Sequence, residues 1–474
     1  MVNLFSVGQA FNTVVPDVYV VEDMGLPSID TNVGSQIIGI VGNGLWGGET
    51  IYQSTSQVDL VRLLGGTGSD LGKMIDASRT EGRVNIAALR VLGSGAVAAK
   101  YELAAGAATT WDFEWEFAGA KGNDTLLQVV EGDITDTVTL IFKLDGDFIR
   151  VRNVDNDPYS ENYIGTKFNV AGMTFTKTGT ATTLPSVTAT DAEFTTGADG
   201  SDAADADLLL AAQEMLSQVP VTHFMFAQRS NAALLAGIAL LAGEYPNVIF
   251  FQTPIEDELV DEFDACVEEA LEFADNNVVT CMGNVSYFNP EDNAFENLEQ
   301  IGFVTQAAKY SYAGSPIGKN TRFRWVESWN RADRERMSEV HLAYAHNDGQ
   351  GWYINDLRTG VRDDYRSSVM IRSTFNVVEK LVASSLRSAI GMTGSVEDRK
   401  ARTRSLLTSL GEFFVSRSII DNYRVDVDGI NSQSVSRGEL LADLYIQKYP
   451  ETRAVVIHVK RMDTGVIAFE EEVR

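Results

Sequence analysis

Cysteine and histidine are scarce in these 474 residues, with two of the first and four of the second. Cys266 and Cys281 are too few for a disulfide framework and have no zinc-site companions, so they read as core thiols, with a redox or intersubunit role as the alternative. His341 and His346 lie five apart, off the same-face spacing of a helix, so no joint metal site is expected and no cofactor is called for. Long apolar runs are missing too. Nothing reaches the roughly 18 to 20 residues of a membrane span, and no basic segment followed by an apolar one opens the chain. The expectation is a soluble protein without a standard secretory signal.

Positive charge is missing from one part of the chain only. Residues 1–300 carry 13 Lys and Arg against 44 Asp and Glu, whereas residues 301–474 carry 25 against 22. The first three-fifths therefore reads as an acid-faced, self-repelling surface and the rest as neutral to slightly basic. That asymmetry predicts two neighbours, water on one side and an acidic protein surface on the other. Direct binding of nucleic acid is disfavoured by a sequence pI near 4.5.

What is present begins and ends in strands. Val14–Glu22 and Arg453–Arg461 alternate apolar with polar residues, and Val466–Phe469 follows Gly465 as a second short strand, while residues 1–13 read as an extended arm. Chain ends fray unless something pairs them, and a strand's open backbone groups can be satisfied by another chain. Val14, Val15, Val18 and Val20, with Val455, Ile457, Val459, Val466 and Ile467, are the residues expected in strand pairing between copies.

Between the ends, 474 residues predict two to four domains. Residues 26–100 read as a small α/β unit: a strand at 36–41, helices at 56–64 and 71–80, and a strand at 84–91. Gly42-Asn-Gly44-Leu-Trp-Gly47 has the G-x-G-x-x-G spacing directly after a strand, but a strand or turn composition follows where the pyrophosphate needs a helix N-terminus, so a glycine-rich turn is expected. Gly72-Lys73 lacks the Ser or Thr of a phosphate loop, because Met74 follows. Residues 101–200 form an inserted β-rich module with hairpin signals such as Asp145-Gly146. Its Trp111, Phe113, Trp115 and Phe117 share one face, which packs on the module's second layer or, alternatively, offers a carbohydrate platform.

The acidic stretch 197–207 is a boundary whose spacing does not match a calcium loop, and Asp426-Val-Asp428-Gly429 fails in the same way. Residues 201–355 alternate helices and strands, the mark of a parallel sheet with crossover helices. No carboxylate pair, nucleophile or metal cluster stands at the carboxyl ends of those strands, where substrates of such sheets bind, so no enzyme is expected. Helices are predicted over 333–345, 363–390 and 395–417, and residues 356–463 read as a C-terminal α+β domain before a last arm at 464–474. Arg399, Lys400, Arg402 and Arg404 form the densest basic cluster, which is a solvated helix face or a dock for an acidic partner.

Several of these parts together resemble a family. Val15-Pro-Asp-Val-Tyr-Val, Gly39-Ile-Val-Gly42, the helix Ser56-x-x-Asp-Leu-Val-Arg-Leu-Leu-Gly65 and the strand Ala87-Ala-Leu-Arg-Val-Leu92 are similar to the start of a contractile tail sheath protein of bacteriophages and related injection machines. The C-terminal helices and terminal strand at 454–461 resemble that family's end, and residues 101–196 correspond to no part of it. The resemblance implies an α/β sheath core, outward-facing inserts, and strand-forming arms that join six-subunit rings stacked around a tail tube. It also implies location in a virion after assembly in the host cytoplasm, with tube, baseplate and tail terminator proteins as partners and the basic C-terminal region, including Arg399, Lys400, Arg402 and Arg404, at the tube. A nucleotide-binding α/β enzyme and an acidic surface-array protein are the rival readings.

Overall fold

The computed structural model describes residues 36–447, apart from 107–108, 189, 229–230, 255–262, 274–276, 311–319, 348, 350, 356, 362–366, 387–393, 417–419 and 437–440. Beyond them it describes the backbone of two strands at 456–461 and 467–472. Two units contain the described residues, one running to residue 369 and the other from residue 370 onward.

In the first unit, β1 (Ile37–Asn43), β2 (Ile51–Ser54), α1 (Gln57–Leu63), α2 (Asp70–Ser78) and β3 (Asn85–Val91) come first. The module follows with β4 (Ala98–Ala104), β5 (Thr110–Ala118), β6 (Leu126–Glu131), β7 (Val138–Leu144), β8 (Asp147–Val154), α3 (Ile164–Lys167), β9 (Met173–Thr178) and β10 (Ala192–Glu193). The chain then continues through α4 (Asp205–Gln218), β11 (His223–Phe226), α5 (Ala232–Glu244), β12 (Ile249–Gln252), α6 (Phe263–Glu272) and β13 (Val278–Met282). Last come β14 (Val285–Asn289), β15 (Ala294–Leu298), α7 (Ile301–Tyr310), β16 (Asn320–Thr321), α8 (Arg331–Glu339), β17 (Ala343–Asn347) and β18 (Trp352–Asn355).

Strands from both sides of the module meet in one nine-stranded sheet, ordered β16-β18-β17-β13-β12-β11-β1-β3-β2. The pairs from β17 through β3 are parallel, and β2, β18 and β16 close the two edges antiparallel. Regions 26–100 and 201–355, which read apart in the sequence, thus share a sheet. A parallel sheet covered on both faces needs strands apolar on both faces. Accordingly Ile38, Ile40, Ile86, Met225, Phe251 and Val279 pack with Leu60, Leu71, Ile75 and Val304 on one side. Alternate residues Val41, Leu89, Phe224, Phe226 and Phe250 meet Leu208, Met215, Leu234 and Ile238 of α4 and α5 on the other.

Local chemistry sets the ends of these helices. Asn231 accepts from the backbone N–H groups of Ala233 and Leu234, and Ser69 from that of Gly72, so each start has a side-chain cap. The helix read over 333–345 is helical only to Glu339. His341 stands at φ 61, His341 N bonds Ser338 O and Leu342 N bonds Met337 O, which is a Schellman stop with histidine where glycine is usual. The apolar run Leu342-Ala-Tyr-Ala345 then enters the sheet as β17, fully buried.

The module is two packed antiparallel sheets, β4-β5-β9 and β10-β6-β7-β8. Asp145 and Gly146 both take positive φ, 50° and 84°, as the tight turn between β7 and β8 requires. Trp111, Phe113 and Trp115 face the module's own core, with the Trp111 indole N–H on Asn156 at 3.0 Å and that of Trp115 on Thr125 at 2.9 Å. Packing, not a carbohydrate platform, accounts for the stripe.

The second unit contains α9 (Val369–Leu386), α10 (Val396–Ser416), the hairpin of β19 (Asn422–Asp426) and β20 (Asp443–Gln447) flanking α11 (Ser432–Ser436), and then β21 (Val456–Arg461) and β22 (Ile467–Glu472). Val378 and Val382 of α9 pack with Leu407 and Phe414 of α10 and with Ile420.

Candidate functional site

The place where a sheet of this kind takes a ligand is the point at which strand order reverses, here between β1 and β11. That crevice is shut by its own residues. A side chain on Gly42 would bring its first carbon 2.5 Å from the Ala227 methyl, and Ala227 N donates to Val41 O at 2.8 Å. Just beyond, Asn43 holds the acidic boundary, donating to Asp202 at 3.2 Å and accepting from Ala203 N at 3.1 Å.

The glycine-rich turn has a polarity opposite to a phosphate cradle. Its carbonyls, not its N–H groups, converge: Arg90 of β3, buried, donates from Nε to Gly44 O at 2.6 Å and from Nη1 to Gly47 O at 2.7 Å. The turn serves to carry Trp46 out of the sheet and into the module's core. Room for the indole comes from Gly65, at φ 90°, where an added Cβ would stand 2.7 Å from the Cβ of Trp46.

Several polar groups near the strand ends are bonded to one another. Gln252 donates to Thr280 at 2.8 Å, Thr253 to Glu299 at 2.8 Å, and Asn284 to Glu327 at 2.8 Å. In the acidic boundary Asp199 accepts from Ala120 N and Asp205 from Asn231, and no metal-holding group of His, Cys, Asp or Glu occurs among the described residues. Cys266 and Cys281 are buried in different clusters, and burial pushes the Cys281 thiol up. His341 lies 3.2 Å from Thr359 O, while His346 sits opposite Tyr353 in β17, so the two do not form a pair. No helix among the described residues is long and apolar enough to cross a membrane.

The other candidates are at the chain's end. The segments read as terminal strands form β21 and β22, paired antiparallel with Ile457 opposite Glu471, Val459 opposite Phe469 and Arg461 opposite Ile467. They make a two-stranded sheet to which no further described strand is added, so each strand keeps one outer edge of backbone groups. Val14, Val15, Val18, Val20, Val455 and Val466 lie outside the described residues.

Helix α10 opens with a reciprocal cap. Ser395 donates to the Asp398 carboxylate from its hydroxyl at 2.7 Å and its backbone N–H at 3.1 Å, and Asp398 N donates back to Ser395 Oγ at 3.2 Å. These bonds from Ser395 hold the Asp398 carboxyl below the usual carboxylate range. The four cations that follow do not form one stripe. Arg399 with Arg402 and Lys400 with Arg404 are the pairs at helical spacing, and Arg402 and Arg404, both exposed, leave opposite sides of the helix.

No family model and no curated protein matches this sequence. Solved structures do. The sheath tail protein of Desulfitobacterium hafniense superposes with TM-score 0.58 at 12% identity, over 87% of this chain and 93% of its own. That of Listeria innocua gives 0.58 at 13%, over 88% and 96%. The chain has the fold of a contractile tail sheath protein. A third sheath, from the extracellular contractile injection system PVC in its contracted state, gives TM-score 0.56 at 9% identity over 96% of this chain and 99% of that one. The likeness to the sheath fold therefore spans nearly the whole length.

Two features of this sheath fold escaped sequence reading. The hairpin β14–β15 lies against α2 and the loop before it, with Glu291 accepting from Thr67 N at 2.8 Å, Tyr287 donating to Asp76 at 2.8 Å and Lys73 bridging Glu296 at 2.7 Å. Its signal was present in the alternation Val285-Ser-Tyr287-Phe-Asn289 ahead of the turn Pro-Glu-Asp-Asn. The second is Glu81, a buried carboxylate that joins segments 240 residues apart, for which no local signal exists.

Proposed function

We propose that this protein is a tail sheath subunit that polymerises as stacked hexameric rings around a tail tube and contracts to drive the tube through a host envelope. The fold likeness, which spans almost the full length of both this chain and contractile sheaths, carries the reading. The outer edges of β21 and β22 support it, because a strand from another copy can add to such an edge and hinge at its linker without losing its hydrogen bonds. In this reading Val14, Val15, Val18 and Val20 supply the added strand, and Ile457, Val459 and Ile467, with Val455 and Val466, lie in the receiving or donated hairpin.

The energy for contraction comes from a lattice that buries less intersubunit surface when extended than when contracted. Once a baseplate releases one ring, neighbours follow through the shared strands. Contacts with the tube must then be weak and polar, and from the cluster Arg399, Lys400, Arg402 and Arg404 of α10 one side of the helix, Arg399 with Arg402 or Lys400 with Arg404, is assigned to them. The module of residues 101–200 faces outward, and the particle is a virion tail assembled in the host cytoplasm, with tube, baseplate and terminator proteins as partners. Electron microscopy of the purified chain tests the reading: hollow tubes of sixfold rings support it, while two-dimensional lattices or compact monomers refute it.

A further inference from the structure

The turn that ends α2, Arg79–Glu81, buries one carboxylate under a cluster of cations. Glu81 is 1% exposed, accepts from Thr321 Oγ1 at 2.8 Å and from Arg322 N, and has Lys309 Nζ 3.5 Å from its carboxylate. Lys309 thereby answers the charge that burial would otherwise leave exposed to a low dielectric. Around this tie the surface is basic. Arg79 and Arg83 flank Glu81 in sequence, and both are exposed. Along 321–326 the chain alternates, with Thr321, Phe323 and Trp325 buried and Arg322, Arg324 and Val326 exposed.

Arg79 is held by Asp76 at 2.5 Å, and the next carboxylate along the chain, Glu327, is turned to Asn284. Arg83, Arg322 and Arg324 form no ion pair with any described carboxylate. In a chain with 66 acidic residues and 38 basic ones, three neighbouring guanidiniums without carboxylates stand against the prevailing charge. Arg62, Lys73, Lys121 and Lys143 of the same unit each have one.

We propose that this patch is the surface on which a carboxylate-rich face of a second copy of the same chain docks. The proposal rests on the reading of the protein as a self-assembling subunit. Copies with a formal charge of -28 repel one another, and a lattice of them needs places where the sign reverses. Guanidinium groups offer bidentate hydrogen bonds to carboxylates, and their planar fork loses less side-chain freedom per bond than a lysine ammonium does. Arg322 and Arg324, exposed at alternate positions, and Arg83, two residues from the carboxylate that accepts from Arg322 N, supply three such forks.

The test is sedimentation of polymer formed by the full chain at about 50 mM and about 500 mM salt, where screening differs several-fold. The variants are the triple changes of Arg83, Arg322 and Arg324 to Glu, to Gln and to Lys. Polymer is expected to fall about tenfold with Glu at low salt, less with Gln and least with Lys, which keeps the charge but not the fork, while wild-type polymer declines with salt. Circular dichroism and thermal melting of the Gln triple variant separate loss of docking from loss of fold. Glu and Gln variants that sediment as wild type does, with the same salt dependence, overturn the proposal while the assembly reading stands. A wild-type chain that never sediments overturns both.

Discussion

The indole rings of Trp46 and Trp115 meet edge to face, 5.0 Å between centroids and 83° between planes, and Trp46 meets the ring of Phe117 in the same manner at 5.9 Å. Trp46 belongs to the turn after the first strand of the central sheet, and Trp115 and Phe117 belong to the inserted module, so this side chain ties the insert to the core. Trp46→Ala removes a buried aromatic anchor and is expected to cost about 3–5 kcal/mol in urea unfolding. Trp46→Phe should lose less than half of that. A loss below about 1 kcal/mol for Trp46→Ala would show that the module is held by other contacts.

Glu81 ties the end of α2 to Thr321 and Arg322 far along the chain. Glu81→Ala leaves Lys309 without its carboxylate, and the Thr321 hydroxyl and Arg322 N without an acceptor, a change expected to cost about 3 kcal/mol. Glu81→Gln keeps an acceptor and should retain part of that stability. Thermal melting compares them, and equal melting temperatures for Glu81→Ala and wild type would count against the tie.

Acid should loosen the attachment of the β14–β15 hairpin. The hydrogen bond from Lys73 holds the Glu296 carboxyl below its ordinary value of 4.5, against the opposing effect of burial. A depressed folded-state pKa contributes stability above the unfolded value and loses it as pH falls through the folded one. Stability from this pair should be level at neutral pH and decline below about 4.5. Glu296→Gln should remove that part of the decline, as read by hydrogen exchange of residues 285–298. An unchanged acid profile in the variant would exclude the pair as its source.

The glycine turn after β1 should bind no nucleotide. Isothermal titration with ATP or NAD is expected to give no saturable heat, because the turn's carbonyls are engaged by Arg90 and Gly42 is pressed against Ala227. Saturable binding would favour the enzyme reading.

Much of the core was legible because its strands are apolar on both faces and its helices are punctuated. The alternation of helices and strands over 201–355 announced a parallel sheet, whereas the strand at 84–91 was expected in a separate small α/β unit and joins that same sheet. What local pattern does not encode is partnership. Nothing in 37–43 reveals that its second neighbour is 223–226, across the whole module. The run Leu342–Ala345 read as helix because a short apolar stretch has no period of its own, and the stop that separates it from α8 is His341 in a left-handed conformation that glycine usually signals. The basic cluster on α10 was visible as composition, yet its spacing divides it between sides of the helix, a division that a count of charges does not show.

The central claim, that strands at the chain's ends join one copy to the next, is tested most directly by electron microscopy of the full chain beside a form lacking residues 464–474, which removes all of β22. The account predicts hollow sixfold tubes from the full chain and, from the truncated form, folded protein with an unchanged circular dichroism melt and no tubes. Tubes of normal length and symmetry from the truncated form would contradict it.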